Sequence, residues 1–413
     1  MSEGLYSAFD DVLILEAVRT PWCDYGGALG LVSPTDLGIK VGREVLRRAE
    51  IDPAVVDSVL AGCVAQASFD AYLLPRHIGL YSGVPQAVPA LGVQRICGTG
   101  FELLRQAGEQ IAAGSAELAL CVAAESMSRN PIAAYTHRGG FRLGAGVEFK
   151  DFLWEALFDP AADIDMIGTA ENLARRYGIS REEADAYALR SFEAALAGQG
   201  EGVFAGEIVS VRSESFELDC YRSRGIALPR GVEAVERDSH PRPTSLAALS
   251  RLRAIHAGGV QTAGNSCAVV DGAAAALLGS ADMLGGRRPL ARLLATAVVG
   301  VAPELMGIGP APAIRLLLAR SGLSLDDIAR FEINEAQAAQ VLAVQRELQL
   351  DPQRLNLHGG SIALGHPLAA TGLRLTLARQ LRTANQRYGI AAACIGGGQG
   401  IAVLIENPGF ERG

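Results

Sequence analysis

Leu357-His358-Gly359-Gly360-Ser361-Ile362-Ala363-Leu364-Gly365-His366-Pro367-Leu368-Ala369-Ala370-Thr371-Gly372 is the stretch on which the fold of this chain turns. A glycine-rich turn delivers His366 and Pro367 into small residues that open a helical pattern. Proline suits the first helical position, where its missing N–H would be unpaired in any case. A histidine held there has two ring nitrogens to divide between accepting and donating a proton. Taken alone, the stretch is equally a glycine-rich helix entrance with a structural histidine. A second copy of its context decides between the two.

Val12-Leu13-Ile14-Leu15-Glu16-Ala17-Val18 reads as a buried strand. Ser33-Pro34-Thr35-Asp36 then reads as a helix start with a cap, a proline at the first turn and an acid three residues on. That helix buries Leu37, Val41, Val45 and Leu46, and it ends before Asp52-Pro53; a short helix and the strand Ser58-Val59-Leu60-Ala61 follow. The order returns late in the chain as a strand over 290–299, a helix from Pro312, a short helix at Ser324–Ile328 and the strand Arg330-Phe331-Glu332-Ile333. In the first copy, Val93-Gln94-Arg95-Ile96-Cys97-Gly98-Thr99-Gly100 enters a helix bearing Phe101, Leu104, Ala107 and Ile111, followed by a strand over 118–124. In the second copy the His366 turn holds that place, followed by Leu373, Leu377 and Leu381 and by a strand over 390–395. Cys97 and His366 thus stand at equivalent helix entrances of one duplicated unit. Alternating strands and helices predict mostly parallel sheets covered on both sides.

A different segment, roughly 126–257, separates the copies. It is richer in charge and carries one strong helix, 181–197, with Ala184, Tyr187, Ala188 and Phe192 at helical spacing. Residues 220–255 hold seven arginines against three acids. That run is either a solvated face or a docking surface for a polyanion such as a nucleotide diphosphate.

Composition narrows the function. With 413 residues, 49% hydrophobic and 20% charged, the chain can bury a core of two or three domains. A net charge of −8 argues against non-specific nucleic-acid binding. Seven scattered cysteines without a Cys-x-x-Cys pair suggest neither a disulfide framework nor a metal site. They fit a reducing compartment, and the first residues lack a basic region followed by an apolar core, so a cytoplasmic protein is expected. The longest uncharged runs are too glycine-interrupted for membrane insertion.

The turns carry the chemistry. Cys97 lies between Arg95 and a Gly-Thr-Gly helix entrance, where N–H groups and a cation favour the nucleophilic thiolate; the plainer alternative is a buried, inert cysteine. Cys394 opens Cys394-Ile395-Gly396-Gly397-Gly398-Gln399-Gly400 just after a strand, a run whose N–H groups make an anion-binding concavity. It is not a dinucleotide fingerprint, because a strand follows it and not a helix. Asn334-Glu335-Ala336 ends another strand, where α/β sheets carry functional groups. Two cysteines, a histidine and an asparagine supply a nucleophile, its base, a second acid/base and oxyanion donors. The set suits acyl transfer through a thioester, coupled to proton abstraction beside a carbonyl.

At this point the chain resembles the thiolases, the acyl-CoA:acetyl-CoA C-acyltransferases, over nearly its whole length. The resemblance rests on Glu16-Ala17-Val18-Arg19-Thr20-Pro21, Arg95-Ile96-Cys97-Gly98-Thr99-Gly100, Glu125-Ser126-Met127-Ser128, Thr169-Ala170-Glu171-Asn172, Thr262-Ala263-Gly264-Asn265, Met306-Gly307-Ile308-Gly309-Pro310, Asn334-Glu335-Ala336, Gly365-His366-Pro367 and the Cys394 run, in that order. It implies an α/β fold of two duplicated βαβαβαββ halves packed in five αβαβα layers, with an inserted loop domain. The halves would be 1–125, completed by about 258–283, and 284–413; the loop domain would be 126–257, covering the site and binding coenzyme A. The resemblance implies Cys97 as the acyl-accepting nucleophile, His366 as its base and Cys394 as the second acid/base. It implies one oxyanion hole from His366 and Asn334 through a water, and another from the N–H groups of Cys97 and Gly396. Cys267, Arg242, Met166, Met306 and Gln337 would contact substrate or coenzyme A. It implies no tightly bound cofactor and no metal; coenzyme A, acetyl-CoA, acyl-CoA and 3-ketoacyl-CoA are substrates. A homo-oligomer is expected, a dimer or a dimer of dimers, with 131–150 like a tetramer-forming loop.

Several positions depart from the family pattern. Gln337 replaces a pocket-side aromatic, Cys267 a serine, Asp165 a histidine and Ala369 a glycine. The rival readings are a decarboxylating β-ketoacyl synthase, which would want histidine or asparagine where Cys394 stands, and a non-catalytic acyl-CoA or lipid-binding relative.

Overall fold

The computed structural model describes residues 4–65, 68–135, 138–374 and 376–411. Eleven strands join in one sheet: β1 (Leu5–Ala8), β2 (Leu13–Arg19), β3 (Cys23–Asp24), β4 (Ser58–Gly62), β5 (Ala90–Gly92), β6 (Leu118–Glu125), β7 (Val270–Gly279), β8 (Ala291–Gly300), β9 (Ile328–Ile333), β10 (Tyr388–Ile395) and β11 (Gln399–Glu406). The main helices are α1 (Pro34–Arg48), α2 (Leu74–Tyr81), α3 (Thr99–Ala112), α4 (Met166–Tyr177), α5 (Arg181–Gly200), α6 (Pro310–Ser321), α7 (Ala338–Leu348) and α8 (Thr376–Thr383).

The sheet runs β9-β10-β11-β8-β2-β7-β6-β4-β5. Read outward from the β8–β2 seam, each half places its first strand, then its last, its third and its second. The duplication inferred from sequence is therefore present in the strand order. The seam is short, pairing Ala291 with Ile14 and Arg292 with Leu13. The expectation of mostly parallel pairing is corrected: only β4–β5, β4–β6 and β9–β10 are parallel. The cause lies in the closing strand of each half. β7, arriving from the insertion, and β11, arriving by a hairpin, lie antiparallel between the first and third strands of their halves.

Side-chain alternation along the strands builds the layers. Leu120 and Val122 of β6 face α1 and α2, packing with Leu37, Val41, Val45 and Ile78. Ile390 and Ala392 of β10 face α6 and α7, packing with Ile314, Leu317, Val341 and Val344. The intervening residues, Cys121 and Ala123 in one half and Ala393 and Ile395 in the other, share a middle layer with Phe101, Leu104 and Ala107 of α3 and Leu381 of α8. Helices outside, between and outside the two half-sheets make five layers.

Within the middle layer the backbones meet directly. A Cβ on Gly100 would lie 2.6 Å from the Ala369 carbonyl oxygen and 2.8 Å from the Leu373 nitrogen. The His366 stretch differs here from its sequence reading. Pro367 precedes a 3-10 turn, Leu368–Leu373, and not an α-helix, and α8 begins only at Thr376. A tighter turn of small residues brings its backbone against Gly100, whereas a full helical turn would fill that space with side chains. The side chain of Leu377 lies outside the described residues.

Between β6 and β7 the chain leaves the sheet for α4, α5 and several two-stranded ribbons. Arg19 at the end of β2 holds this excursion down. It is fully buried, paired with Glu207 at 2.6 Å and Asp238 at 2.6 Å, and lies over the Trp22 ring. On the other side α5 packs Ala184, Ala188 and Phe192 into the core of the second half. The start of α1 is refined as well: Ser33 caps the Thr35 N–H, but Asp36 turns to the Arg224 guanidinium instead of completing the box.

Two outcomes follow from this packing. Arg19→Met strands two buried carboxylates and lowers stability by about 3–5 kcal/mol, read from urea unfolding. Gly100→Ala forces the middle layer apart and costs about 1–3 kcal/mol by the same measurement, with loss of activity at temperatures where the protein stays folded.

Candidate active site

Cys97 sits in a tight turn between β5 and α3. The Gly98 N–H donates to the Arg95 carbonyl at 2.9 Å, and the Thr99 hydroxyl reaches the Ile96 carbonyl at 2.7 Å. Ile96 adopts φ +43°, a left-handed conformation costly for a β-branched residue and maintained by its surroundings. The expected cation is absent from the sulfur's side. Arg95 donates to Glu102 at 2.9 Å and to the Gln399 side chain at 2.8 Å, tying the Cys97 turn to the opposite half. Burial therefore dominates, and the Cys97 thiol is pushed up to about 11, with Gly396 and its own backbone N–H opposing the rise. Burial thus works against the thiolate that the sequence neighbourhood favours.

Cys394 lies inside β10, opposite Gly400. The loop that follows turns through Gly397 and Gly398, with φ +83° and +85°. This turn brings the Gly396 N–H to the Cys97 sulfur. Cys394 is buried, and desolvation holds its thiol well above the ordinary range, with Cys97 and Cys267 as neighbours. Cys267 arrives on a short extended segment; its N–H donates to the Ala336 carbonyl at 3.0 Å, and burial raises its thiol to about 12. Three thiols from three parts of the chain converge.

His366 and Asn334 complete the group. The Ser361 hydroxyl donates to Asn334 Oδ1 at 2.5 Å, which turns the amide Nδ2 toward His366 Nε2 at 3.4 Å. That orientation makes Nε2 an acceptor, so the ring proton lies on Nδ1, donated to Thr371 Oγ1 at 2.6 Å. Burial lowers the imidazole to about 4 and keeps it neutral. Thr371 escaped the sequence reading; its only signal was a hydroxyl in a run of small residues. Glu335 also reads differently in place. Its carboxylate accepts from Tyr187 at 2.9 Å, Ser191 at 2.7 Å and Asn356 at 3.0 Å, clamping α5 to the Asn334 turn.

A cavity of about 530 Å³ opens beside this group, with Cys267 and His366 in its wall. Met166, Arg242, Cys267, Gln337 and His366 line it, while Met306 packs behind with Met166, Ala336 and Cys394. The arginine-rich run does not act as one surface: Arg224 is locked onto Asp36 and Asp70, and of that run only Arg242 reaches the cavity. Asp165, where a histidine was expected, caps α4 through the Gly168 N–H and takes a hydrogen bond from His256 at 3.0 Å. Among the described residues no group of three or more His, Cys, Asp or Glu could hold a metal ion. No helix among them is long and apolar enough to cross a membrane.

Comparison with known proteins agrees with the motifs. Residues 12–282 match the family model of the thiolase N-terminal domain, and residues 287–407 that of the thiolase C-terminal domain. The mitochondrial 3-ketoacyl-CoA thiolase of Bos taurus is 41% identical over 402 residues, which cover 96% of this chain and 98% of that protein. The beta-ketoadipyl-CoA thiolase of Pseudomonas putida is 40% identical over 412 residues, covering 96% and 99%. The crystal structure of human mitochondrial 3-ketoacyl-CoA thiolase in complex with CoA superposes with a TM-score of 0.91 at 39% identity, covering 98% of this chain and 100% of that one. On both its sequence and its fold, the chain belongs to the thiolase family.

Proposed function

We propose that this protein is an acyl-CoA:acetyl-CoA C-acyltransferase that cleaves 3-ketoacyl-CoA with coenzyme A and runs the reverse Claisen condensation. The observation that carries this is the meeting of two thiols, Cys97 from the first repeat and Cys394 from the second, beside a neutral histidine. A neutral imidazole can take a proton from a neutral thiol without creating isolated charge beforehand.

In cleavage, His366 Nε2 accepts the Cys97 proton as the sulfur adds to the 3-keto carbon. The C2–C3 bond breaks, its electron pair stays on C2 of the departing acetyl-CoA, and the Cys394 thiol protonates that carbon. Free coenzyme A, its thiol proton passing to the Cys394 thiolate, then attacks the Cys97 thioester, and the Cys97 sulfur leaves with the proton returned by His366. Oxyanions formed on the way are stabilised by the backbone N–H groups of Cys97 and Gly396, and by His366 with Asn334 through a water. In synthesis, Cys394 removes the α-proton of acetyl-CoA. Coenzyme A lies across the 126–257 domain, between the halves 1–125 (with 258–283) and 284–413, with Arg242 toward its phosphates and Met166 and Met306 beside the thioester.

We assign the protein to the cytoplasm, a location supported by cysteines scattered along the sequence without a Cys-x-x-Cys pair. We also infer a homodimer that pairs into a homotetramer. Exposed Leu91 lies in the edge strand β5 and exposed Phe69 and Tyr72 precede α2, and exposed Tyr135, Phe141 and Leu143 mark the 131–150 loop.

Three outcomes test the assignment. Cys97→Ala forms no acyl-enzyme with acetyl-CoA by intact mass; a mutant that still acquires about 42 Da, the acetyl increment, would refute the nucleophile. Cys394→Ala still acylates at Cys97 but loses about 10²–10⁴-fold in condensation. The nitrogen-15 shifts of His366, assigned with His366→Gln, stay those of neutral imidazole at pH 6, because its depressed pKa of about 4 leaves it unprotonated where a free histidine is largely charged.

A further inference from the structure

Gln337 and Ser266 face each other across an isolated antiparallel bridge and both line the cavity. They are 4% and 7% exposed, yet the Gln337 Oε1 and the Ser266 hydroxyl have no hydrogen-bond partner among the described residues. Buried polar atoms are ordinarily paired, and an unpaired one is a standing cost to the fold. Of the neighbouring groups, Asn334 is satisfied by Ser361, His366 by Thr371 and the Ala336 N–H by Gln340 Oε1, while Gln340 Nε2 is also without a partner but lies off the cavity wall. Among the described residues that carry such an orphan, Gln337 and Ser266 are the two that line the cavity.

Their place on that wall is its reactive end. Gln337 follows Ala336, which packs with Cys394 and Met306. Ser266 precedes Cys267, which neighbours Cys97. The cationic side chains of the wall lie elsewhere: Arg242 is exposed and bonded to His240, whose ring is held by Asp24 at 2.5 Å. The reactive end offers an amide and a hydroxyl among methionine, alanine and cysteine, with no cation to receive a carboxylate.

We propose that Gln337 and Ser266 select acyl chains bearing an uncharged oxygen, a hydroxyl or keto group, close to the reacting carbonyls. This rests on the thiolase reaction assigned above. An amide rotates to donate or accept and a hydroxyl does both, so the pair pins one neutral oxygen without choosing its hydrogen-bond sense. A site built to bond a substrate oxygen discriminates strongly against the analogue that lacks it, since its own polar atoms then stay unpaired.

The test compares thiolysis of 3-ketohexanoyl-CoA with its 4-, 5- and 6-hydroxy derivatives and with 3-oxoadipyl-CoA. At least one hydroxylated chain exceeds the plain chain by tenfold or more in kcat/KM, and Gln337→Leu and Ser266→Ala each reduce that ratio severalfold. Equal rates for plain and hydroxylated chains, preference for the carboxylate, or an undiminished ratio in both variants would overturn the proposal. So would a uniform rise in KM for every acyl-CoA in the variants, since that places the two groups on the pantetheine arm. Absence of thiolysis with every substrate, acetoacetyl-CoA included, would instead refute the underlying reaction.

Discussion

Everything at the centre of this protein depends on one close approach, the backbone of Gly100 against the turn Ala369–Leu373. Any side chain at that point would separate the two repeats by roughly a methyl radius or more, and interiors packed like crystals do not absorb such a displacement locally. The approach joins the entrance of α3, which follows Cys97, to the turn that follows His366. Arg95 adds a second tie by donating to Gln399, in the loop that carries the Gly396 N–H. The site is thus assembled by packing between halves, and none of its parts is complete within one half.

Burial then sets the chemistry. Low dielectric raises every thiol in the cluster and lowers the imidazole, which favours the uncharged form of each. A permanently ionised thiolate would demand a cation here, and Arg95 is committed to Glu102 and Gln399. Charge in the proposed cycle exists only while the sulfur is attacking or an oxyanion is forming. It then meets donors already fixed in position, chiefly backbone N–H groups held by glycine turns.

Much of this was legible in the sequence because strand and helix periods survive in both repeats, from Leu13–Arg19 and Pro34–Arg48 to Ala291–Gly300 and Pro310–Ser321. Cys97, His366 and Cys394 stood out because glycine-rich turns are rare outside places that need them. What failed depended on long-range partners. Arg95 pairs with a side chain 304 positions away, so its sequence neighbourhood suggested the wrong ion pair. The antiparallel β7 was hidden because alternation of strands and helices says nothing about direction when a long insertion intervenes; β11 was legible as a strand after the Cys394 loop, but not its place between the first and third strands of its half. Thr371 and Glu335 acquire their roles only from what folds against them.

The seam between β2 and β8 pairs Ile14 with Ala291 and Leu13 with Arg292, and β1 extends it by pairing its four residues with β8. Sheet pairing between the repeats is thus confined to β8. Their cohesion comes from the helices sandwiched between them, the same layer that seats the cysteines and the histidine. Folding and active-site assembly are consequently a single event. A first repeat standing alone carries Cys97 without Cys394 or the Gly396 N–H, so the sulfur gains its neighbouring thiol and its backbone donor only when the second repeat docks.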